Sequence, residues 1–135
     1  MPSFSPSRPF VRSDKLAPFI SEERKARIEA VLQGRTRDIA VVLDGTHDLG
    51  NVHAVVRTAE GLGFDQVHVI ESQEKLRRAN RTSQGADTWV DFYRYPTPGA
   101  GVAALRKRGY RLLVTTLDGG QTLDEIDFTV PTALV

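Results

Sequence analysis

The sequence contains no cysteine, which excludes disulfide bonds and thiolate metal sites. It also lacks any apolar run near the roughly 18 residues that a membrane-spanning helix needs. Its first residues, MPSFSPSRPFVRS, contain no continuous apolar segment of the kind found in secretory signals. We therefore expect a cytoplasmic protein that neither crosses a membrane nor carries disulfides.

Basic residues are missing from the last part of the chain. Residues 112–135 contain no lysine or arginine, so residues 1–111 hold all 18 basic residues against 13 acidic ones. That part has a net charge of +5, which the formal charge of +1 for the whole chain conceals. Fourteen of the 18 are arginine, whose planar guanidinium suits phosphate recognition. A polyanionic partner is one expectation, and ordinary solvated surface charge is the alternative.

Two common signatures are also missing. The loop DGTHDLG, residues 44–50, offers glycines and the start of a helix that could take an anion. It matches neither the dinucleotide-binding pattern nor the Walker-type phosphate pattern. The three histidines, His47, His53 and His68, show no spacing typical of metal ligands, so no metal is expected.

The chain divides into three parts, and its 135 residues are enough for one hydrophobic core. Residues 1–20 hold four of the seven prolines and no periodic pattern, which predicts an extended arm. Residues 21–37 predict a short basic helix with Ser21 as its N-cap. Residues 38–135 have the pattern of a folded domain.

Five apolar runs alternate with helical stretches in that domain: DIAVVL, QVHVI, TWVDFYRY, YRLLVTT and TALV. Helices are expected at residues 50–62 and 98–108, each followed by a glycine, Gly63 or Gly109, that can adopt the left-handed conformation. Continuous apolar strands separated by helices are typical of parallel sheets buried on both faces. The sequence therefore predicts an α/β fold, a mainly parallel sheet with helices on both faces.

The predicted helix after the first strand has two different faces. Its apolar residues fall on one stripe that is expected to meet the sheet: Val52, Val55, Val56, Ala59 and Leu62. On the other side lies Arg57, flanked by the small residues Ala54, Thr58 and Gly61. Small residues let another backbone approach closely, so a second covering surface is expected there. A solvent-exposed arginine is the alternative.

Asn51, Arg57, Thr58 and Gly63 form the pattern N-x-x-x-x-x-R-T-x-x-x-x-G. With the segments RTSQGADTWVDFY, LRKRGYRLLVTTLDG and IDFTVPTALV, this pattern strongly resembles the SpoU, or TrmH-like, branch of the SPOUT RNA ribose 2'-O-methyltransferases. The basic segment RKARIEAVL looks most like the tRNA guanosine 2'-O-methyltransferases of that branch.

The resemblance implies methyl transfer from S-adenosylmethionine to a ribose 2'-hydroxyl of tRNA or rRNA, in a homodimer whose active site straddles the subunit interface. It implies that Arg57 activates the hydroxyl and that Asn51 shapes the same site. It also implies that Thr116 and Leu117 approach the adenosine. Neutralising an arginine near pH 7 costs on the order of 7 kcal/mol. We therefore favour Arg57 as a fixed cation that stabilises developing negative charge.

In that family a strand such as PTALV is followed by a Gly-x-Glu loop and a Ser-Leu-Asn segment, which form the trefoil knot and most of the cofactor pocket. The sequence ends at Val135, before both. We therefore expect a SPOUT-like α/β-knot domain that is truncated before its knot, and a chain that alone binds the cofactor weakly and is inactive. The alternatives are a non-catalytic RNA-binding or dimerisation module, and a nucleotide-binding domain in which Arg57 grips a phosphate.

Candidate RNA contacts are basic residues of the arm, of the first helix and of the run EKLRRANRTS: Arg8, Arg12, Arg24, Lys25, Arg77, Arg78 and Arg81. Each phosphate contact would add affinity and salt dependence. For the run EKLRRANRTS, a solvated surface is the alternative.

Overall fold

The computed structural model of the chain describes residues 19–46, 48–71 and 90–135. The chain forms two compact units, of which the first ends at Arg35 and the second runs from Thr36 to Val135.

Helix α1, Glu22–Gln33, belongs to the first unit. The Ser21 hydroxyl accepts a hydrogen bond from the Arg24 amide at 3.3 Å, as the sequence predicts for an N-cap. No residue of α1 is buried. The fold of the second unit therefore depends on its own core.

The elements of the second unit are β1 (Ile39–Asp44), α2 (Leu49–Gly61), β2 (Gln66–Ile70), β3 (Asp91–Tyr95), α3 (Pro98–Lys107), β4 (Arg111–Leu113) and β5 (Thr132–Leu134), with a 3-10 turn at Leu123–Glu125 between the last two strands. All the strand pairs are parallel, in the order β3-β2-β1-β5-β4. The predicted α/β fold is therefore confirmed. No helix in the described ranges is long and apolar enough to cross a membrane.

The strand register determines where the loops meet. Asp44 pairs with Ile70, and Ile70 pairs with Tyr95, so the carboxyl ends of β1, β2 and β3 lie side by side. On the other side of β1, Leu134 of β5 pairs with Leu113 of β4. After β1 the chain forms β2 and β3 on one side of β1. It then returns to form β4 and β5 on the other side. The boundary between β1 and β5 is therefore the switch point at which parallel sheets bind ligands.

Each face of the sheet has its own core, because α2 and α3 pack on opposite faces. The α2 core contains Val52, Val56, Ala59, Val67, Val69 and Val90. The α3 core contains Ala40, Val42, Ile70, Leu105, Tyr110 and Ala133. Alternation along the strands produces this division. The sheet is thus covered on both faces, as predicted.

The α2 face is only partly covered. Ile39, Leu113 and Leu134 belong to neither core cluster and are only half-buried. Alternation places all three on the α2 side of β1, β4 and β5. An apolar strip along this end of the sheet therefore keeps part of its surface accessible.

The ends of both helices follow the sequence prediction, with one correction. Gly63 and Gly109 have φ values of +80° and +86°, as left-handed caps require. Leu62 was expected to face the sheet but is 64% exposed. Helix α2 ends at Gly61, and the turn at Gly63 directs Phe64 onto the α2 core instead. The Phe64 amide donates to the Ala59 carbonyl at 2.8 Å.

Candidate active site

Two loops meet at the carboxyl edge beside the switch point. Gly45 follows β1 with φ +66°, and its amide donates to the Ile70 carbonyl at 3.1 Å. Thr115 follows β4, and both its amide and its hydroxyl donate to the Val135 carbonyl, at 2.9 and 3.0 Å. These bonds fix the starts of both loops against the ends of neighbouring strands.

The start of α2 is capped by its own carboxylate. Asp48 Oδ1 accepts the Gly50 amide at 2.7 Å, and the Asp48 carbonyl accepts the Val52 amide at 3.2 Å. A negative side chain thus occupies the position where the sequence suggested an anion site. Phosphate binding at this helix start is therefore disfavoured.

The two predicted catalytic residues lie on the exposed side of α2. Asn51 and Arg57 are both exposed, while Val52, Val56 and Ala59 are buried against the sheet. Asn51 and Arg57 are six positions apart on the helix, which is about 9 Å along the axis. Within the described part of the chain no carboxylate forms an ion pair with Arg57. The Arg57 guanidinium therefore points away from the core of its own domain.

Small residues surround Arg57 and keep this surface shallow. Ala54, Thr58 and Gly61 are all exposed. The Thr58 hydroxyl donates to the Ala54 carbonyl at 3.0 Å, so it is folded back on the helix. A Cβ atom added at Gly61 would meet nothing within 4 Å. The exposed face of α2 has room for a closely packed second surface.

The predicted cofactor residues lie in the loop after β4. Thr116 Oγ1 accepts the Asp118 amide at 3.1 Å and donates to the Asp118 carbonyl at 3.2 Å, so this hydroxyl stabilises a turn. The Leu117 side chain is fully exposed, at 102% of its reference area. The structure thus places both predicted residues in one exposed loop at the carboxyl end of β4, and their contact with a cofactor stays a prediction.

The basic residues predicted to contact RNA are only partly described. Arg24 and Lys25 are exposed on α1. The other predicted positions, together with His47, lie outside the described residues: Arg8, Arg12, Arg77, Arg78 and Arg81.

A buried chain of hydrogen bonds on the α3 face was not predicted. The Tyr95 hydroxyl lies 3.0 Å from His68 Nδ1, and His68 Nε2 lies 3.1 Å from Gln66 Oε1. The Gln66 amide donates to the Tyr110 hydroxyl, which donates to the Arg37 carbonyl. Since Gln66 Oε1 can only accept, we assign the proton of neutral His68 to Nε2. We call this series of hydrogen bonds the Tyr95–Arg37 relay.

The surroundings of the relay shift two pKa values. Burial, with the positive charge of Arg108 as a second cause, lowers the pKa of His68 to about 4. Burial raises the pKa of Tyr110 to about 12, although its hydrogen bond to Gln66 opposes the shift. Both groups are therefore neutral at pH 7.

An ion-pair cluster lies at the opposite, amino end of the strands. Arg37 pairs through Nε with Asp65 and through Nη2 with Asp91, the latter at 3.3 Å. Burial acts to lower the pKa of Arg37, but the hydrogen bond and charge of Asp65 raise it above its ordinary value. The cluster joins the starts of β1, β2 and β3.

Comparison with known proteins identifies related sequences and a related fold. Residues 38–135 match the SpoU rRNA methylase family. The tRNA (guanosine(18)-2'-O)-methyltransferase of Escherichia coli (strain K12) is 34% identical over 113 residues, which are 83% of this chain and 49% of that protein. The enzyme of the same name from Thermus thermophilus is 31% identical over 116 residues, which are 85% of this chain and 60% of that one.

A solved structure has the same architecture. The crystal structure of the Aquifex aeolicus TrmH/SpoU tRNA modifying enzyme superposes with a TM-score of 0.68 at 26% identity, covering 84% of this chain and 58% of that one. The chain spans about half the length of the curated relatives that it matches.

Proposed function

The chain belongs to the SpoU rRNA methylase family, and we propose that it forms the RNA-side part of an S-adenosylmethionine-dependent tRNA ribose 2'-O-methyltransferase. One observation carries this proposal. An exposed arginine, Arg57, lies among small residues on the outer face of α2, at the position that the family motif reserves for its catalytic arginine. The curated relatives that act on tRNA guanosine support tRNA as the substrate class.

Arg57 acts in this proposal as a positioned cation. As the ribose 2'-hydroxyl gives up its proton to water, negative charge develops on the oxygen, and a fixed guanidinium nearby stabilises it. In open solvent that attraction is weak, and it strengthens when a second surface excludes water from the site. The Asn51 amide, about one and two-thirds turns earlier on the same helix, can orient the ribose by donating and accepting hydrogen bonds.

The second surface is proposed to be another copy of the chain, which would give a homodimer. Ala54, Thr58 and Gly61 leave the space that a close approach needs. Gly61→Lys should abolish self-association without unfolding the domain, because Gly61 is exposed and a Cβ atom there meets nothing within 4 Å. Gly99→Lys on α3 is the matched control, since Gly99 is also exposed and open. Sedimentation measures the self-association of both variants. Equal association of the two variants would reject this face as the interface.

The cofactor supplies an electrophilic methyl group on its sulfonium. Thr116 and Leu117 are proposed to line the adenosine side of the cofactor site. They would form only one wall of that site. We therefore expect the 135-residue chain to bind S-adenosylmethionine no tighter than about 10 μM, near −7 kcal/mol. Methyl transfer is expected only when the remaining walls of the site are present. Calorimetry checks the affinity, and nanomolar to low-micromolar binding by the 135 residues alone would contradict the proposed site.

The decisive experiment measures methyl transfer to tRNA in a protein extended through the Gly-x-Glu and Ser-Leu-Asn segments that the family pattern requires. Arg57→Ala should abolish transfer and leave the cofactor affinity within a few-fold. Arg57→Lys is the matched control, because it keeps the charge but loses the planar fork. An unchanged rate in Arg57→Ala would remove Arg57 from the mechanism.

RNA binding is proposed to involve the exposed Arg24 and Lys25, together with the basic residues of the arm and of EKLRRANRTS. Affinity for tRNA should fall as salt rises, and the paired change Arg77→Ala with Arg78→Ala should flatten the slope. If the extended protein binds tRNA in this way but never methylates it, the second candidate, a non-catalytic RNA-binding module, is correct.

A further inference from the structure

The Tyr95–Arg37 relay connects the interior of the sheet to its ligand-bearing edge. Tyr95 is the last residue of β3, and its carbonyl accepts the Glu71 amide at 2.9 Å. Glu71 follows β2 at the carboxyl edge and is only 8% exposed. The Tyr95 ring also lies against α3, where a Cβ atom on Gly101 would be 3.4 Å from it. Tyr95 thus contacts β2 and α3 through its side chain, and the carboxyl edge through its backbone carbonyl.

His68 is the central member of the relay and is fully buried, at 0% exposure. Its ring stacks on Tyr93 at 4.8 Å and on Tyr95 at 5.8 Å between centroids. On the Tyr93 ring lies the Arg108 guanidinium, 3.9 Å from the centroid. A protonated His68 would therefore share one stack with a fixed cation.

Among the described residues, the titratable and charged groups along the relay are these: Tyr93, Tyr95 and Asp91 of β3, Arg108 after α3, Tyr110 before β4, Asp65 before β2, and Arg37 and Asp38 before β1. Two of the carboxylates, Asp65 and Asp91, are already paired with Arg37. A positive charge on His68 thus gains no dedicated counter-ion from the described residues.

We propose that His68 is an acid-operated latch: its neutral ring locks β3 and α3 onto β2, and its protonation frees them together with the adjoining carboxyl edge. The hydrogen bonds of the relay explain why. Neutral His68 accepts from Tyr95 and donates to Gln66, so both ring nitrogens are satisfied. The protonated ring has two donors, so Tyr95 must turn its hydroxyl to accept, and the added charge lies fully buried in one stack with Arg108, which disfavours the closed state.

The size of the pH effect follows from the difference in the His68 pKa between the closed and the open state. The His68 pKa is about 4 in the closed state and 6.5 when the ring is exposed. The open state therefore binds the proton first as the pH falls. Between pH 7 and pH 5 the ratio of open to closed molecules should rise about twenty-fold.

Amide hydrogen exchange of the 135-residue chain tests the latch. The Glu71 amide reports on β3, and the Thr132 amide, which donates to the Asp38 carbonyl at 2.7 Å, reports on the other side of the sheet. The protection of Glu71, corrected for the intrinsic exchange rate, should fall about twenty-fold from pH 7 to pH 5. At pH 5 the protection of the Glu71 amide should be at least ten-fold lower than the protection of the Thr132 amide. Equal protection of both amides at each pH would mean that opening is global, and would reject the latch.

Three variants test whether His68 is the group that titrates and whether its bond to Tyr95 matters. His68→Gln cannot titrate, so the pH dependence of Glu71 protection should disappear; a twenty-fold loss that persists would show that His68 is not the sensor. Tyr95→Phe removes one relay bond, and should lower Glu71 protection at pH 7 by roughly two- to ten-fold. Tyr93→Phe is its control, because Tyr93 stacks on His68 without bonding to it and loses only its own 3.4 Å bond to Asp91. Equal effects of the two tyrosine changes would also reject the latch.

Discussion

Replacing Gly101 by alanine is expected to destabilise the domain, although the same change inside most helices stabilises them. Gly101 lies in the second turn of α3 and is buried against the sheet. A Cβ atom there would lie 2.8 and 2.9 Å from Cδ1 and Cγ1 of Ile70, and 3.4 Å from Cδ2 of Tyr95. Ile70 is itself buried, so its side chain has little room to turn away.

Two opposing effects determine the magnitude. Alanine is favoured over glycine by about 1 kcal/mol in a helix interior. Forcing a methyl group into a filled core costs typically about 1–3 kcal/mol. Gly101→Ala should therefore lower the free energy of unfolding by about 0–2 kcal/mol. Gly99→Ala should leave it unchanged or raise it by up to about 1 kcal/mol, because a Cβ at Gly99 meets nothing within 4 Å.

Urea unfolding of both variants, followed by circular dichroism, measures this difference directly. Comparing the two largely cancels helix propensity and leaves the steric cost, about 1–3 kcal/mol. In an Ile70→Ala background the penalty of Gly101→Ala should vanish, because the overlapping atoms are gone. Equal stabilities of Gly99→Ala and Gly101→Ala would refute the close approach of α3 to β2.

Two further predictions concern the core of the α3 face. Leu105 is fully buried, so Leu105→Ala should cost about 2–5 kcal/mol of unfolding free energy in urea; a loss below about 1 kcal/mol would contradict its burial. The pKa of His68 is lowered to about 4 from 6.5, so the unfolded chain binds this proton first, and stability should fall between pH 6.5 and pH 4 and level off below. The loss is at most about 3 kcal/mol, and His68→Gln should remove that share of the slope in unfolding free energy measured against pH.

The features that could be predicted from sequence are those with a local cause. The strands and helices follow from apolar runs and periodicity, and the caps at Gly63 and Gly109 follow from the backbone freedom of glycine. The outward position of Arg57 follows from counting about 100° per residue along α2. Each of these depends on residues within a few positions of one another, so the sequence displays them directly.

The remaining features depend on contacts between distant segments. The relay requires the register that pairs His68 with Tyr93, and the turn after α3 that brings Arg108 over the Tyr93 ring. In the sequence, Arg37 looks like one more basic residue after a basic helix. In the structure it forms ion pairs with Asp65 and Asp91, which lie 28 and 54 residues away. Side-chain pairs at such separations leave no local pattern in a single sequence. The only hint was a histidine within the apolar run QVHVI.

Three arginines of the second unit are held by contacts within the fold. Arg37 is held by two carboxylates, and Arg108 lies on the Tyr93 ring. Arg111 donates through Nη2 to the Asp127 carbonyl at 2.7 Å and to Thr132 Oγ1 at 3.0 Å. These three arginines hold the fold together, so they add little to phosphate binding. The net +5 of residues 1–111 already includes Asp65 and Asp91, so leaving out these three arginines and the two carboxylates gives 15 basic against 11 acidic residues, a net +4. The charge count thus changes little, and exposure distinguishes Arg57 on α2 from the three arginines that the fold holds.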